Sequence, residues 1–443
     1  MQKKILVMCP TGRERRALPP VAARLGYDLD FDEVTGGAYS RDFEYGKRIN
    51  VEEIIDAKVE EYRNKSLSGV VASVGFPGMT AISAEIARRL GLPGPSPEVI
   101  LRCEHKYYSR LAQKEFVPDA TPDFALFDPE SKDDRDPALL GFKYPFFLKP
   151  VKSILSYGAA RVDSHGDFLN AIKAAALPEG FLGPFHQLLE DYTDFEEDAH
   201  QLIVEDLLQG IQVSMEGFVF RKEVKVMAVV EAVMVPNTLS FARWYYPGRL
   251  PDDVRARMED VAVRFFCGVG YDNAPFNMEL MYNPDSDSIH IIEVNAKLAN
   301  QFCDMVEKVD GYNPFEVMLK IAVGEEPQMK SGQGPYKVAS SCVFREFEDR
   351  TVLSVPGQPD IDKVVHKYPA SIIEILAEPG KRLSEQFQDS DSYRYALANI
   401  GADSFEEIEE KFADIKGMLP FDMRSPQLAA STPQPILVSE TTG

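Results

Sequence analysis

The sequence predicts an α/β protein built of α+β lobes, with a parallel α/β domain at the N-terminus and a mixed β/α lobe towards the C-terminus. Three observations carry this. Near the N-terminus, short apolar runs alternate with helix-period segments that end at Gly or Pro, the pattern of a parallel sheet with crossover helices. The chain has 443 residues, too many for one ordinary core, so two to four lobes are expected. After about residue 325 the texture changes to short strands between turns.

The elements follow in order. "KKILVMCPTGRERRALPPVAARLGY" reads as a buried strand at 5–8, a turn and a helix. The turn lacks the glycine spacing of a phosphate loop. "SGVVASVGFPGMTAISAEIARRLGLPGPSPE" repeats the pattern, with a strand at 69–74, a loop at 75–78 and a helix at about 80–90. "SPEVILRCEHKYYSRLAQKEF" reads as one helix, Ser96 its N-cap and Pro97 in its first turn. An Asp/Pro-rich loop covers 117–136, and "YPFFLKPVKSILSYGAARVDS" is strand, loop, strand. A helical stretch lies near 167–176. "HQLIVEDLLQGIQVSMEGFVF" is two strands about a bend at Gln209–Gly210, and "VKVMAVVEAVM" is a strand. "LSFARWYYPG" reads as a loop. "PDDVRARMEDVAVRFFCGVG" is a helix, since Val254, Met258, Val261, Phe265 and Phe266 recur on one side. Beyond it, "KVASSCVFREF", "RTVLSVPG", "VVHKYP" and "SIIEILAEPG" read as strands, and "DSYRYALANIGADSFEEIEEKFADIKGML" as two helices around Gly401. The Pro/Ser-rich stretch 426–443 reads as a disordered tail.

Composition sets the outer limits. Hydrophobic residues are 44% and charged residues 27% of a chain with net charge −22, which excludes nonspecific binding to nucleic acid or an anionic membrane. The five cysteines are scattered and form no CxxC pair, so neither a zinc site nor a disulfide framework is expected. Reduced thiols, no signal peptide and no membrane-length apolar run together predict a cytoplasmic protein.

The most informative stretch is "NMELMYNPDSDSIHIIEVNAK", two strands about the turn 283–288. Glu279 and Glu293 lie almost symmetrically about the turn centre, and Asn295 returns to the face of Glu293 by strand alternation. Like charges facing each other repel. A hard divalent cation such as Mg²⁺ offsets that repulsion through oxygen ligands. A solvated outer face is the competing reading, and the hairpin alone does not choose.

Three segments in this order resemble the ATP-grasp superfamily, and within it the carboxylate–amine ligases of the L-amino-acid ligase type. They are "HKYYSRLAQKEFVPDATPDF", "YPFFLKPVKSILSYGAARV", and the stretch from "IVEDLLQGIQVSMEG" to "MELMYNPDSDSIHIIEVNAK". "VVASVGFPGMTAISAEIARRLGLPGPSP" and "YRYALANIGADSFEEI" resemble the flanking regions of these ligases, so the resemblance covers all but the tail. It implies an ATP-grasp fold with a pre-ATP-grasp domain at 1–103, an ATP-grasp domain at 104–325 whose lid spans about 124–204, and a C-terminal lobe at 326–425.

The resemblance also assigns roles. Lys106 and Lys149 would bind the α- and β-phosphates of ATP. Ser153, Ser156 and the backbone near Tyr157 and Gly158 would cap phosphates in a loop poorer in glycine than the family's, with Lys152 adding charge. Glu205 and the main chain of Leu207 and Leu208 would read adenine, and Gln212 would replace the family's ribose-binding glutamate. Glu279, Glu293 and Asn295 would hold Mg²⁺, two ions with Glu293 between them, Mn²⁺ being an alternative. Lys297 stands where the family has arginine, beside the transferred phosphoryl. Arg243 is a candidate for the substrate carboxylate or acyl phosphate, or else a surface arginine.

The implied reaction joins a carboxylate, an amino acid in this reading, to an amine through an acyl phosphate, with ADP and phosphate released. The implied partners are small molecules and a second copy of the chain as a homodimer. Two alternatives stand beside it: a biotin-carboxylase-like enzyme and an ATP-binding regulatory protein with a decayed catalytic set.

Overall fold

The computed structural model describes residues 2–32, 50–72, 77–130, 140–153, 157–177, 179–386 and 392–425. The reading of a disordered tail at 426–443 lies outside these residues, as does Ser156.

The first unit is a three-stranded parallel sheet in the order β2-β1-β3, from Tyr27–Phe31, Lys3–Val7 and Leu67–Val71. Around it lie α1 (Gly12–Leu25), α2 (Val51–Tyr62) and α3 (Met79–Arg89). The sheet strands end in buried Leu6, Val7, Val70 and Val71, which is why these short apolar runs pack as the middle of a layer.

The stretch read as one helix is two. α4 (Pro97–Glu104) stops at His105, whose backbone is extended, and α5 (Lys106–Phe116) starts afresh. The break is anchored on both sides. The Lys106 N–H donates to the Val151 carbonyl at 2.9 Å, and His105 Nε2 lies 2.9 Å from the Asp198 carbonyl.

A four-stranded antiparallel sheet follows, ordered β4-β7-β5-β6 (Phe124–Phe127, Leu202–Asp206, Phe146–Pro150, Ala160–Val162). Helix α6 (His165–Ala174) covers it, and Phe127, Phe146, Phe168 and Val204 form its own small core. Helix α7 (Glu179–Tyr192) falls in the span read as the lid. It instead buries Phe185, Leu188 and Leu189 in the first core, with α2 and α3.

The large sheet has eight strands in the order β12-β11-β8-β9-β10-β13-β16-β15. These are Ser288–Asn295, Ala274–Asn283, Ile211–Phe220, Glu223–Met234, Phe241–Tyr246, Val338–Glu346, Tyr393–Ala402 and Ile372–Ile375. Helix α8 (Asp252–Val269) packs Met258, Phe265 and Phe266 beneath it. On its other face lie α9 (Cys303–Asp310) and α10 (Pro314–Ala322), in a core with Phe218, Val230 and Trp244. Because β10 bonds β13, the boundary read near residue 325 falls within one continuous sheet.

Three elements differ from the sequence reading. "FARWYY" is strand β10, not loop, paired on both edges. "VVHK" belongs to helix α11 (Gln358–Lys367), where Val364 is the buried contact. "YRYALANIGA" is strand β16, while only α12 (Phe405–Met418) is helical. The alanines of β16 suit a helix locally. Their burial between β13 and β15 overrides that propensity, as tertiary packing does. A small pair, β14 (Thr351–Ser354) and β17 (Asp422–Arg424), completes the fold. Among the described residues, no helix is long and apolar enough to cross a membrane.

Candidate functional site: a cation cluster facing two carboxylates

The β11–β12 hairpin is the floor of the site. Asn283 pairs with Ser288 and Leu280 with Ile291, then the register shifts so that Glu279 faces Glu293 and Asn277 faces Asn295. Ile292 is the extra residue of a β-bulge. In a plain hairpin Ile292 would oppose Glu279, and Glu293 would point to the far face. The near-symmetry noted in the sequence is off by one residue, and the bulge makes it exact enough to bring the carboxylates together.

The bulge has a second effect. It withdraws the Ile292 carbonyl from the strand ladder, and two cations take it up. Lys149 Nζ donates to it at 3.1 Å and Arg110 Nη2 at 2.8 Å. The same two side chains clasp Glu205, with Arg110 Nε at 2.7 Å and Lys149 Nζ at 2.8 Å. Lys106 Nζ lies 3.3 Å from Glu293. Lys106 and Arg110 sit one turn apart on α5, so the helix break at His105 aims both at the hairpin. Arg110 is fully buried and was missed by the sequence reading. Its signal was the spacing of four from Lys106 in "HKYYSR".

The charges here shift strongly. Burial, then the neighbouring Glu293, pushes the Glu279 carboxyl up. Burial opposes ionisation of Glu293 as well, but Lys106 and Lys149 outweigh it and hold that carboxyl down. Glu205 is likewise held low against its burial by Arg110 and Lys149. Burial depresses Lys149, with Glu205 opposing. The two facing glutamates therefore differ in proton affinity because Lys106 pairs directly with Glu293, whereas at Glu279 burial and the Glu293 charge outweigh the same lysines.

Behind them is a polar chain. Gln212 Nε2 donates to Glu279 at 2.9 Å. Asn295 Nδ2 donates to Glu293 Oε1 and to Asn277 Oδ1, both at 3.1 Å. Asn277 Nδ2 donates to Glu216 at 2.6 Å, and the Ala299 N–H reaches the other Glu216 oxygen at 3.0 Å.

The remaining sequence candidates divide. Lys152 is buried on Glu104 at 2.5 Å, with Thr80 donating to the same carboxylate at 2.6 Å. Burial works against Glu104, and Lys152 and Lys297 together keep it ionised, which places Lys297 beside this pair. Leu207 and Leu208 lie in the link between β7 and β8, partly buried. That link ends at Gly210, where φ is +137° and an added Cβ would meet the Tyr282 carbonyl oxygen at 2.0 Å. Gly158 (φ +73°) packs on Ala175, the C-cap of α6, where a Cβ would lie 2.9 Å from the Ala175 Cα. Ser153 Oγ donates to the Tyr157 carbonyl at 2.6 Å.

Arg243 is not brought to this site. Directly opposed residues share a face. Glu279 opposes Ser214, Ser214 opposes Val230, and Ala232, on Val230's face, opposes Trp244. Arg243 opposes Val233 and so lies on the other face, several strands away, paired with Glu409 of α12. It is neither a surface loop residue nor a neighbour of the carboxylates.

The donors present fit Mg²⁺. Two facing carboxylates and an amide oxygen are hard ligands, and the raised Glu279 marks uncompensated negative charge that a cation would relieve. Among the described residues there is no cluster of three or more His, Cys, Asp and Glu side chains spaced to hold a metal.

Residues 142–305 match the ATP-grasp domain family. An uncharacterised protein, y4rH, of Sinorhizobium fredii (strain NBRC 101917 / NGR234) is 23% identical over 81% of this chain and 70% of its own length. The L-amino acid ligase of Bacillus licheniformis superimposes with TM-score 0.70 at 16% identity, over 95% of this chain and 98% of that one. The biotin carboxylase domain of Hydrogenobacter thermophilus 2-oxoglutarate carboxylase, solved with MgADP and bicarbonate, gives 0.65 at 14% identity, over 96% and 92%. The domain match takes in β5, β6, the adjoining strands of the large sheet and the paired carboxylates, and the likeness of fold to these ligases and carboxylases runs almost end to end.

Proposed function

We propose that the protein is an ATP-dependent ligase that joins a carboxylate, an amino acid, to an amine and releases ADP and phosphate. The observation that carries the reading is the convergence of Lys106, Arg110 and Lys149 on the hairpin bearing Glu279, Glu293 and Asn295. The Bacillus licheniformis neighbour is an L-amino acid ligase, which supports the choice of amino acid.

In this reading a substrate carboxylate oxygen attacks the γ-phosphorus and ADP leaves. The amine nitrogen then attacks the acyl carbon, phosphate leaves and the amine loses a proton. No protein nucleophile is needed, because positioning and charge neutralisation are the main tasks in phosphoryl transfer. Lys106 and Lys149 neutralise the triphosphate, and Lys297 faces the transferred group. Glu205 orients Arg110 and Lys149 while the main chain of Leu207 and Leu208 meets adenine, and Gln212 meets the ribose. Glu279, Glu293 and Asn295 would hold Mg²⁺, which when bound supplies charge stabilisation to the phosphates. The β4–β7 lobe, with Gly158 in its loop, excludes water from the acyl phosphate.

The full set of cations and carboxylates argues against a decayed regulatory protein. The test is product analysis with amino-acid and amine pairs. ADP, phosphate and a product heavier by one condensation are expected, and Glu293→Gln should lower turnover by about a hundredfold or more with the fold intact. AMP as the nucleotide product would overturn the mechanism. Near-normal turnover in Glu293→Gln would remove the paired glutamates from it.

A further inference from the structure

A cavity of about 300 Å³ lies between α1, the start of α9 and the β15–β16 end of the large sheet. None of the residues assigned above lines it. Its charged wall is Arg13, Arg16, Asp304 and Glu374, and Asn399 is one of three asparagines that line it. We propose that this cavity binds a free α-amino acid as its zwitterion. The inference rests on the ligase reading only for the use of that amino acid as a substrate.

Size is the first argument. Ligand pockets run from about 300 to 1,000 Å³, and this one, at the small end, suits an amino acid rather than a nucleotide.

Charge is the second. Two guanidinium groups and two carboxylates line the wall, so the pocket is balanced and favours a ligand that is neutral overall with both charges present. Arg13 is engaged by Glu374. Arg16 lies 3.6 Å from the same carboxylate and is 61% exposed, so it has donors left for an arriving carboxylate.

The third argument is an orphan acceptor. Asn399 is only 5% exposed. Its Nδ2 donates to Asp304 and, at 3.0 Å, to the Gln301 carbonyl. Its Oδ1 is buried and has no hydrogen-bond partner. A buried acceptor left unpaired is destabilising and calls for an explanation, and a ligand ammonium donating to Oδ1 supplies one. The ligand then lies with its ammonium inward on Asn399 and its carboxylate outward on Arg16. Phe315, Leu397 and Ala17 offer the apolar wall for its side chain.

The cavity is also wired to the carboxylate site. Glu14, next to Arg13, accepts from Asn300 Nδ2 at 2.9 Å. The adjoining Ala299 N–H donates to Glu216, and Asn277 carries the contact to Asn295.

The test is isothermal titration of the whole protein, without nucleotide, with each proteinogenic L-amino acid and with the N-acetyl and amino-alcohol forms of the tightest one. Arg16→Ala removes an exposed side chain, and Ala17→Trp fills the cavity. Thermal unfolding of each confirms that it folds. At least one amino acid should bind the wild type, both blocked forms should fail, and both variants should weaken binding by at least about tenfold. Binding unchanged in both folded variants, or no binding by any amino acid, overturns the proposal. If binding is lost in the variants but no amino acid stimulates ADP release by the wild type, the pocket stands and the ligase reading falls.

Discussion

Glu216 keeps its proton to about pH 8, because burial disfavours the anion more than its two hydrogen bonds favour it. That has a sign for stability. The ordinary value is 4.5, so below it both folded and unfolded chains are protonated. Between 4.5 and about 8 the unfolded chain has lost the proton and the fold retains it. Protons then favour the fold, and stability falls as pH rises through that window, by at most about 1.4 kcal/mol per pH unit. Urea unfolding of the wild type and Glu216→Gln from pH 5 to 8 should show a shallower fall in the variant. Parallel curves would mean that Glu216 is ionised in the fold. At this scale the sequence was partly legible. Lys149, Glu279 and Glu293, with Asn295 on the same face, could be picked out because charge at the end of an apolar strand, or in the middle of one, is unusual, whereas Lys106 was reached only through the resemblance of its helix to the ATP-grasp pattern. Arg110 was passed over because its one signal, the spacing of four from Lys106, is equally that of a solvated helix face until the helix is known to be buried against a hairpin.

At the scale of elements, the decisive device is the Ile292 bulge. It is invisible in composition, because a bulge is set by the count of residues between two pairings and not by residue type. It turns the Glu293 face and frees a carbonyl for two cations. Deleting Ile292 should close the ladder with Glu293 still opposite Glu279, while removing the carbonyl that Arg110 and Lys149 share. Affinity for MgATP, measured by titration calorimetry, should fall at least about tenfold, the loss expected for two displaced charged contacts. An unaltered affinity would show that the bulge is not needed to assemble the site. The strand β16 and the helix α11 were misread for the converse reason: local alanine content and β-branched pairs spoke for one state, and burial in a sheet or on a helix face imposed the other.

For the whole molecule, the parallel α/β start and the change of texture near residue 325 could be read from the alternation of patterns, whereas the continuity of the large sheet across β10 and β13 could not, because strand pairing between distant segments leaves no local mark. The four-stranded sheet has its own core and joins the large sheet through β7, the link ending at Gly210, and β8. Such a lobe is suited to hinge as a body. Amide hydrogen exchange with a non-hydrolysable ATP analogue and Mg²⁺ should slow in residues 146–162 more than in the parallel strands β1 to β3. Equal protection in both places would mean that the lobe does not close over nucleotide.

The pairing of Lys106 with Glu293, and of Lys149 and Arg110 with Glu205, bears on how a triphosphate would be received under the proposed function. These cations are already neutralised by protein anions. A nucleotide arriving there does not displace a loose atmosphere of solvent ions, as a polyanion does on a bare basic surface. It takes over partners that the fold has been holding. The exchange is one of internal counterions, so the ionic strength of the medium has little purchase on it.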